Sequence, residues 1–258
     1  MPICSVQSQA AAKHTKNWCI VDADVLKAIS VSNLHQVAPN SLRKLLAGAQ
    51  RKDIPARTVT HREGDTNPHL ELVVSGVVRV FVRDPDGRTM TIRYCRSGSL
   101  LGAASLFASK FSLPASLQTL TATKLLSLSP ENVRQIVNED SKVAVALLEE
   151  LSQRVLTFIY EIPDSAFASV RQRMARHLLD LASELASEHV RAGPKLDTEL
   201  VVTASQSELA EAVGTAREVV VRILRELRHE GIVHTGRTGI VILDPARLVQ
   251  ETRWNIGS

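Results

Sequence analysis

The sequence predicts an α+β protein with an N-terminal antiparallel β-barrel, a long dimerisation helix and a C-terminal winged helix-turn-helix. Three observations predict this order. Short alternating runs with turn residues between them fill residues 54–128, which is typical of an antiparallel barrel or sandwich. An apolar heptad-like repeat follows from residue 144. Two short helical patterns separated by Gly214 then precede a hairpin pattern.

We divide the chain into a flexible arm over residues 1–30, a sensing barrel over 31–138, a dimerisation helix with a hinge over 139–164, and a winged helix-turn-helix over 165–258. No apolar run approaches the roughly 20 residues that span a bilayer. The N-terminus lacks the apolar core of a signal peptide, so we expect a cytoplasmic protein that does not contact membranes.

Charge and cysteine content restrict the function further. The net charge is +4 with a pI near 9.1, but the part from Val170 onward has 12 Lys plus Arg and 12 Asp plus Glu. Net charge is therefore weak support for a polyanionic partner. Stronger support comes from the second helix of the predicted helix-turn-helix, which carries its charged residues on one face. Cys4, Cys19 and Cys95 are widely spaced, which argues against a disulfide framework and a zinc site.

In the N-terminal half, the patterns predict short helices over Ala23–Ile29 and from Asn40 to Gly48. Five strand patterns follow within residues 58–121. Asp86 and Gly87 lie between two of them and predict a tight hairpin.

A helix is predicted from Pro130 and a longer one from Ser141. In the longer helix, apolar residues recur at spacings of four and three, which predicts a dimer seam or, alternatively, packing of the helix on its own barrel. The seam consists of Ala144, Leu148, Leu151, Val155, Phe158 and Ile162. Pro163 predicts a kink or a break in the helix and a hinge over residues 162–165.

The stretch from Val202 to Gly231 predicts two helices joined by a turn at Gly214. Thr203 or Ser205 caps the first helix, and Thr215 with Glu218 three residues later predicts a capping box for the second. Two short strands and a helix from Pro245 complete the wing.

The second helix sorts its residues into two faces at 100° per residue. Its inner arc holds apolar residues: Ala216, Val219, Val220, Ile223, Leu224 and Leu227. Its outer arc holds Arg217, Glu218, Val221, Arg222, Arg225, Arg228 and His229. Arg binds guanine bidentately, Glu accepts from cytosine, and an aliphatic tip contacts a thymine methyl, so this face suits a DNA major groove. The alternative is an ordinary amphipathic surface helix.

The stretch GTAREVVVRIL at 214–224 resembles the recognition-helix signature of the cyclic-AMP receptor and fumarate–nitrate regulator superfamily of bacterial transcription factors. The order of predicted domains resembles that superfamily over residues 42–248, and glycines at 64, 76, 98 and 102 match its strand and turn positions. The resemblance implies a cyclic-nucleotide-binding-like jelly roll for the barrel. It also implies double-stranded DNA, a second copy of the chain and RNA polymerase as partners.

By this resemblance, Arg217, Glu218, Val221 and Arg222 read bases. The oxygen-sensing branch of the superfamily carries a serine where this chain has Val221, so the resemblance implies a half-site preference nearer that of the cyclic-AMP receptor branch. Contacts to phosphates, which set the register of the protein on DNA, are implied for Thr203, Ser205, Gln206, Thr215, Arg225 and Arg237.

The sequence departs from the family at the effector pocket. A Glu should follow Gly102, but Ala103 and Ala104 stand there, and Leu113 and Pro114 replace the Arg–Ser pair that holds a cyclic phosphate. Phe158 and Ile159 replace the two hydroxyl residues that meet adenine. Without the arginine, a bound cyclic phosphate loses a charge-assisted hydrogen bond and roughly a few kcal/mol of binding free energy. We therefore predict that cyclic AMP does not bind in the usual manner.

The effector is otherwise left open. Three scattered cysteines do not provide the four that an iron–sulfur cluster needs, whereas His61, His69 or Cys95 remain candidate axial ligands of a haem. The prediction is a homodimeric, sequence-specific regulator of transcription that binds a pseudo-palindromic operator under the control of a barrel-bound effector. A constitutive regulator with a vestigial pocket is the alternative, together with a helix-turn-helix that binds a protein. The sequence contains no recognisable catalytic motif, so we do not predict an enzyme.

Overall fold

The structure is a computed structural model. It describes residues 22–87, 89–108, 110–190, 200–236 and 239–252, except for the side chains of 160–167 and 183–190. The chain forms two compact units, one of Met1–Val80 with Cys95–Arg154 and the other of Phe81–Tyr94 with Val155–Ser258. Most of the predicted arm, with Cys4 and Cys19, lies outside the described residues.

The first unit begins with α1 (Ala23–Ser30), a 3₁₀ turn (Asn33–Gln36) and α2 (Pro39–Leu46). Both predicted helices are confirmed. Val25 and Ile29 of α1 are buried in the main hydrophobic core of the unit. The end of the predicted arm is therefore part of the folded unit.

Eight strands follow, with one short helix between the sixth and the seventh. They are β1 (Gln50–Ile54), β2 (Val59–His61), β3 (Leu70–Ser75), β4 (Val78–Arg83), β5 (Thr89–Cys95), β6 (Leu100–Leu101), α3 (Ala103–Phe107), β7 (Ser116–Thr119) and β8 (Thr123–Leu128). The five predicted strand patterns correspond to β2, β3, β4, β5 and β7. The prediction missed β1, β6 and β8.

The predicted antiparallel β-domain is confirmed, but its strands do not close into a barrel. The strands form two four-stranded sheets, in the orders β1-β8-β3-β6 and β2-β7-β4-β5, and the sheets do not close on each other. Closure would need every strand to have a hydrogen-bonded neighbour on both sides. Instead, side chains from both sheets, including Val73, Leu117 and Leu125, pack in one apolar cluster, which is the sandwich alternative.

The predicted hairpin between β4 and β5 is confirmed. Gly87 has a φ of +84°, which glycine adopts without the penalty that a Cβ carries. Its amide donates to the carbonyl oxygen of Asp84 at 3.0 Å.

Two helices follow the sheets, α4 (Pro130–Glu139) and α5 (Ser141–Phe167). The predicted break at Pro163 is wrong, because α5 continues to Phe167 and the helical backbone ends at residues 168 and 169. Proline removes one intrahelical hydrogen bond, and a helix of 27 residues continues past that loss.

The winged region contains α6 (Val170–Val190), β9 (Leu200–Val202), α7 (Gln206–Val213), α8 (Arg217–His229), β10 (Val233–Thr235), β11 (Ile240–Ile242) and α9 (Pro245–Glu251). The strands form an antiparallel sheet in the order β10-β11-β9, of which β9 was not predicted. Met174 and Leu178 of α6 are fully buried with Leu209 of α7 and Leu227 of α8 in one core. The predicted helix-turn-helix, wing and final helix are confirmed.

Candidate nucleic-acid interface

The turn between α7 and α8 is built by capping groups at both ends of α7. Ser205 forms a capping box with Glu208: its Oγ accepts from the Glu208 amide at 3.1 Å, and its own amide donates to Glu208 Oε2 at 2.8 Å. Gly214 ends α7 in the left-handed conformation with a φ of 66°. Of the two predicted caps, Ser205 is therefore the one that acts.

The predicted N-cap of α8 at Thr215 is wrong. Ala216 occupies the N-cap position, and no side chain caps this end. The Thr215 amide instead donates to the Ala210 carbonyl at 2.9 Å and helps to close α7. The backbone of Thr215 is thus part of the turn before α8 begins.

Helix α8 separates its apolar and charged residues as predicted, except that Ala216 is exposed. Val220, Ile223, Leu224 and Leu227 are at most 4% exposed and pack in the core. The charged side chains of the opposite face are exposed: Arg217, Glu218, Arg222, Arg225, Arg228 and His229. The predicted base-reading residues therefore lie on one accessible face.

Val221 is the apolar member of this face. It is partly buried, and it lines a groove of about 140 Å³ together with Gln206, Leu224, Arg225, Arg228 and Thr235. Val219, by contrast, packs against the hydrophobic core. Two predicted phosphate-contacting residues, Gln206 and Arg225, thus border the groove with Arg228 and Thr235, which were not assigned to phosphate from the sequence.

The other predicted phosphate-contacting residues lie around α7. Thr203 and Ser205 are exposed and Thr215 is partly buried. The guanidinium of Arg217 is 3.5 Å from the side-chain oxygen of Gln206, which places the first turns of α7 and α8 side by side. Arg237 lies outside the described residues.

An ion cluster surrounds the C-terminal end of α8. The guanidinium of Arg171, in the first turn of α6, contacts Glu226 of α8, Glu230 just after α8, and Glu251 of α9. Hydrogen bonds from Arg171 hold the pKa of Glu251 below its ordinary value, and the bonds to Glu251 and Glu230 raise the pKa of Arg171. The sequence analysis missed this cluster because Arg171 is 55 to 80 residues from its partners along the chain.

Helix α5 carries apolar side chains on two faces. Val143, Ala146 and Leu147 are buried in the core of the first unit, while Leu148 is 60% and Val155 is 55% exposed. Among the other predicted seam residues, Phe158 is exposed, Ala144 and Leu151 are partly buried, and the side chain of Ile162 lies outside the described residues. Packing within the chain therefore leaves much of the predicted seam uncovered.

Two of the seven predicted effector positions, Ala103 and Leu113, are buried by the fold itself, and most of the others are exposed. Ala103 is fully buried in the main core, and Leu113 is 8% exposed in the cluster between the sheets. Gly102 has a φ of +83°, and a Cβ there would collide with His69. Ala104, Pro114, Phe158 and Ile159 are exposed. Neither Ala103 nor Leu113 offers a charge to a cyclic phosphate.

The candidate haem ligands do not form an axial pair. The rings of His61 and His69 stack at 4.2 Å between centroids, whereas axial imidazoles approach an iron end-on from opposite sides. Burial lowers the pKa of His61, against the charge of Glu71, which raises it. Cys95 is fully buried in the apolar cluster between the sheets. This arrangement does not fit a pair of axial ligands for one haem.

Two family models match the chain. Residues 51–140 match the cyclic nucleotide-binding domain, and residues 172–251 match the Crp-like helix-turn-helix domain. Over 207 residues the chain is 30% identical to the CRP-like protein Clp of Xanthomonas euvesicatoria, covering 78% of this chain and 87% of that protein. The chain belongs to the CRP/FNR superfamily. It is also 28% identical to the cAMP-activated global transcriptional regulator Vfr of Pseudomonas aeruginosa over 215 residues, covering 82% of this chain and 98% of Vfr.

Solved structures of CRP/FNR proteins have the same fold. The c-di-GMP-responsive regulator CLP of Xanthomonas campestris matches with a TM-score of 0.67 and 27% identity, covering 80% of this chain and 99% of CLP. A CRP/FNR-family regulator of Thermus thermophilus matches with a TM-score of 0.64 and 26% identity, covering 79% of this chain and 98% of that one. The chain therefore has the cyclic-nucleotide-binding-like domain and the DNA-binding helix-turn-helix of a CRP-like transcription regulator.

The match to the cyclic nucleotide-binding domain covers the two sheets and α4, and the match to the Crp-like helix-turn-helix domain extends from α6 to α9. Within the described part of the chain, no group of three or more His, Cys, Asp or Glu side chains is arranged to hold a metal ion. None of the helices described there combines the length and apolar content that crossing a lipid bilayer requires.

Proposed function

We propose that this chain is a homodimeric, cytoplasmic transcription regulator that reads a pseudo-palindromic operator with two copies of α8. The main observation behind this proposal is the exposed face of α8, where Arg217, Glu218 and Arg222 lie opposite a buried apolar face. In a dimer, two such helices enter successive major grooves about 34 Å apart. The protein acts by binding, with RNA polymerase as a partner, and not as an enzyme.

The uncovered apolar row on α5 supports the homodimer. Leu148 and Val155 are more than half exposed although they continue a heptad-like repeat. Apolar side chains in such a repeat pack against an equivalent helix. A second copy of α5 would bury this row and set the spacing of the two recognition helices.

We further propose that the effector is not cyclic AMP bound in the usual manner. The packing of Ala103 and Leu113 supports this, because a phosphate beside these side chains would lose its water without gaining an ionic partner. A similar regulator, CLP, is described as c-di-GMP-responsive, so cyclic di-GMP is the first candidate. A constitutive regulator is the second candidate, since the same filled positions suit a vestigial pocket.

One titration distinguishes these effectors. An operator is first selected by the full-length protein from a randomised palindromic duplex library, in the absence of nucleotide, with cyclic AMP and with cyclic di-GMP. Affinity for that duplex is then measured under all three conditions. A change in affinity with cyclic di-GMP alone, in either direction, supports the proposal, and equal affinity throughout supports the constitutive form. Enhancement by cyclic AMP contradicts the assignment of the pocket, and a Soret absorption band in the purified protein would favour a haem sensor.

The readout assignment predicts the effect of Arg217→Ala. The variant should lose one guanine contact and about 1–3 kcal/mol of operator affinity, with relaxed preference at one base pair of each half-site. Fluorescence anisotropy with single-base operator variants measures both effects. Arg225→Ala is the control, because loss of a phosphate contact weakens all duplexes alike and reduces the salt slope by about 0.9 per contact. Unchanged operator affinity of Arg217→Ala would show that α8 is not the reading helix.

A further inference from the structure

The cluster around Arg171 connects the recognition helix to two other helices. Nε of Arg171 donates to Glu251 Oε2 at 2.7 Å, and Nη2 donates to Glu230 Oε2 at 2.7 Å. Nη1 donates to Glu226 Oε2 at 3.3 Å. All three nitrogens of one planar guanidinium are thus engaged by carboxylates of α8, its C-cap and α9, which a lysine ammonium cannot reproduce.

Arg171 offsets the mutual repulsion of these carboxylates. Glu226 of α8 and Glu230, the C-cap residue of that helix, are four residues apart, a spacing at which like charges repel. They also lie near the C-terminal end of the helix, where the helix dipole disfavours negative charge. Glu251 adds a third negative charge from α9. Removing Arg171 would leave these three negative charges close together at the end of α8, with Arg247 as the other cation that acts on Glu251.

Neighbouring arginines secure the backbone of the same motif. Arg247 of α9 donates to the Glu230 carbonyl at 2.8 Å, just beyond α8. Arg173 donates to the Val213 carbonyl at 3.2 Å, at the end of α7. The first turn of α6 therefore contacts the C-terminal ends of both helices of the motif, with Arg171 holding α8.

We propose that Arg171 is a positioning residue for DNA sequence readout: it fixes the direction in which α8 presents Arg217, Glu218 and Arg222 to base edges. This inference rests on the proposed function. Side chains that bind a specific target must be held within about 0.5 Å of the productive geometry, and a recognition helix released at one end does not meet that requirement. Contacts to phosphates by flexible cations are less sensitive to the direction of the helix.

The experiment compares specific with non-specific affinity. Full-length wild type, Arg171→Gln and Arg171→Lys are titrated with the selected operator and with a scrambled duplex of the same composition, at one salt concentration. Circular dichroism melts define a temperature at which each variant is folded. Arg43→Gln is the matched control, because it removes the same charge from an exposed position on α2.

Arg171→Gln should lose operator affinity by on the order of tenfold, the loss that follows when one base pair is misread, with less than about threefold change on the scrambled duplex. Arg171→Lys should lie between it and the wild type, since lysine retains the charge but not the three-way geometry. Equal losses on both duplexes would overturn the proposal in favour of simple electrostatics. A lower melting temperature with an unchanged affinity ratio would overturn it in favour of a purely structural role. A wild type that binds both duplexes equally would refute the proposed function itself.

Discussion

The outward faces of α8 and α5 are both exposed, but they differ in chemistry. On α8 the exposed side chains are charged, and the apolar side chains are packed in the core. On α5 one apolar face is packed, and a second apolar row, which includes Leu148 and Val155, remains exposed.

This difference shows what exposure means on each helix. Water solvates a row of guanidinium groups at no cost, so the exposed face of α8 is compatible with a free helix and with one on DNA. Exposed apolar side chains in a contiguous row are unfavourable in water and mark an interaction surface. Helix α5 is thus the stronger sign of self-association, whereas α8 indicates which kind of ligand the protein binds.

The largest expected effect tests α5. Leu148→Glu combined with Val155→Glu places four charges in the proposed dimer seam and should give a monomer in sedimentation experiments. Operator affinity should fall by roughly 100-fold or more. A monomer binds one half-site only, without a second subunit held at high effective concentration beside the other half-site. Gln153→Glu is the control, since it adds charge to α5 about half a helical turn from the seam. A double variant that remains a dimer would show that the exposed row has another role.

A smaller effect tests how α8 is joined to α7. Gly214→Ala should weaken the motif by about 1–2 kcal/mol, because the φ of 66° disfavours a residue with a Cβ. The nearest atom to such a Cβ, on Met90, is 3.9 Å away, so steric collision does not contribute. Hydrogen exchange of α8 amides in the full chain measures the loss. Gly48→Ala, at a φ of +75° with no neighbour within 4 Å, should leave that exchange unchanged.

The smallest effect refines the chemistry of the α8 face. We expect Val221 to contact the methyl group of one thymine in each half-site, because its side chain faces the groove and not the core. Replacing that thymine by deoxyuridine should lower wild-type affinity about fourfold per half-site, the value of one buried methyl group. Val221→Ala should show no such difference, whereas Val219→Ala, at a core-facing position, should retain it. If no thymine responds, Val221 does not read bases.

Local patterns predicted the parts of the fold that depend on neighbouring residues. The two faces of α8, the glycine turn at Gly214, the hairpin at Gly87 and the start of α5 follow from spacing and backbone preference alone. The departures at Ala103 and Leu113 from the residues expected in the effector pocket were also visible in the sequence. Errors arose where local signals competed, as at Thr215, whose hydroxyl suits an N-cap but whose amide closes α7.

The sequence by itself determined that a long helix with an apolar repeat precedes a helix-turn-helix whose second helix separates apolar from charged residues. Helical and strand periodicities are set by residues a few positions apart, so they can be read locally. Only the tertiary structure decided that the sheets stay open, that β8 pairs with both β1 and β3, and that Arg171 joins Glu226, Glu230 and Glu251. Those contacts join residues distant in the chain, and their energies depend on geometry that no local pattern contains.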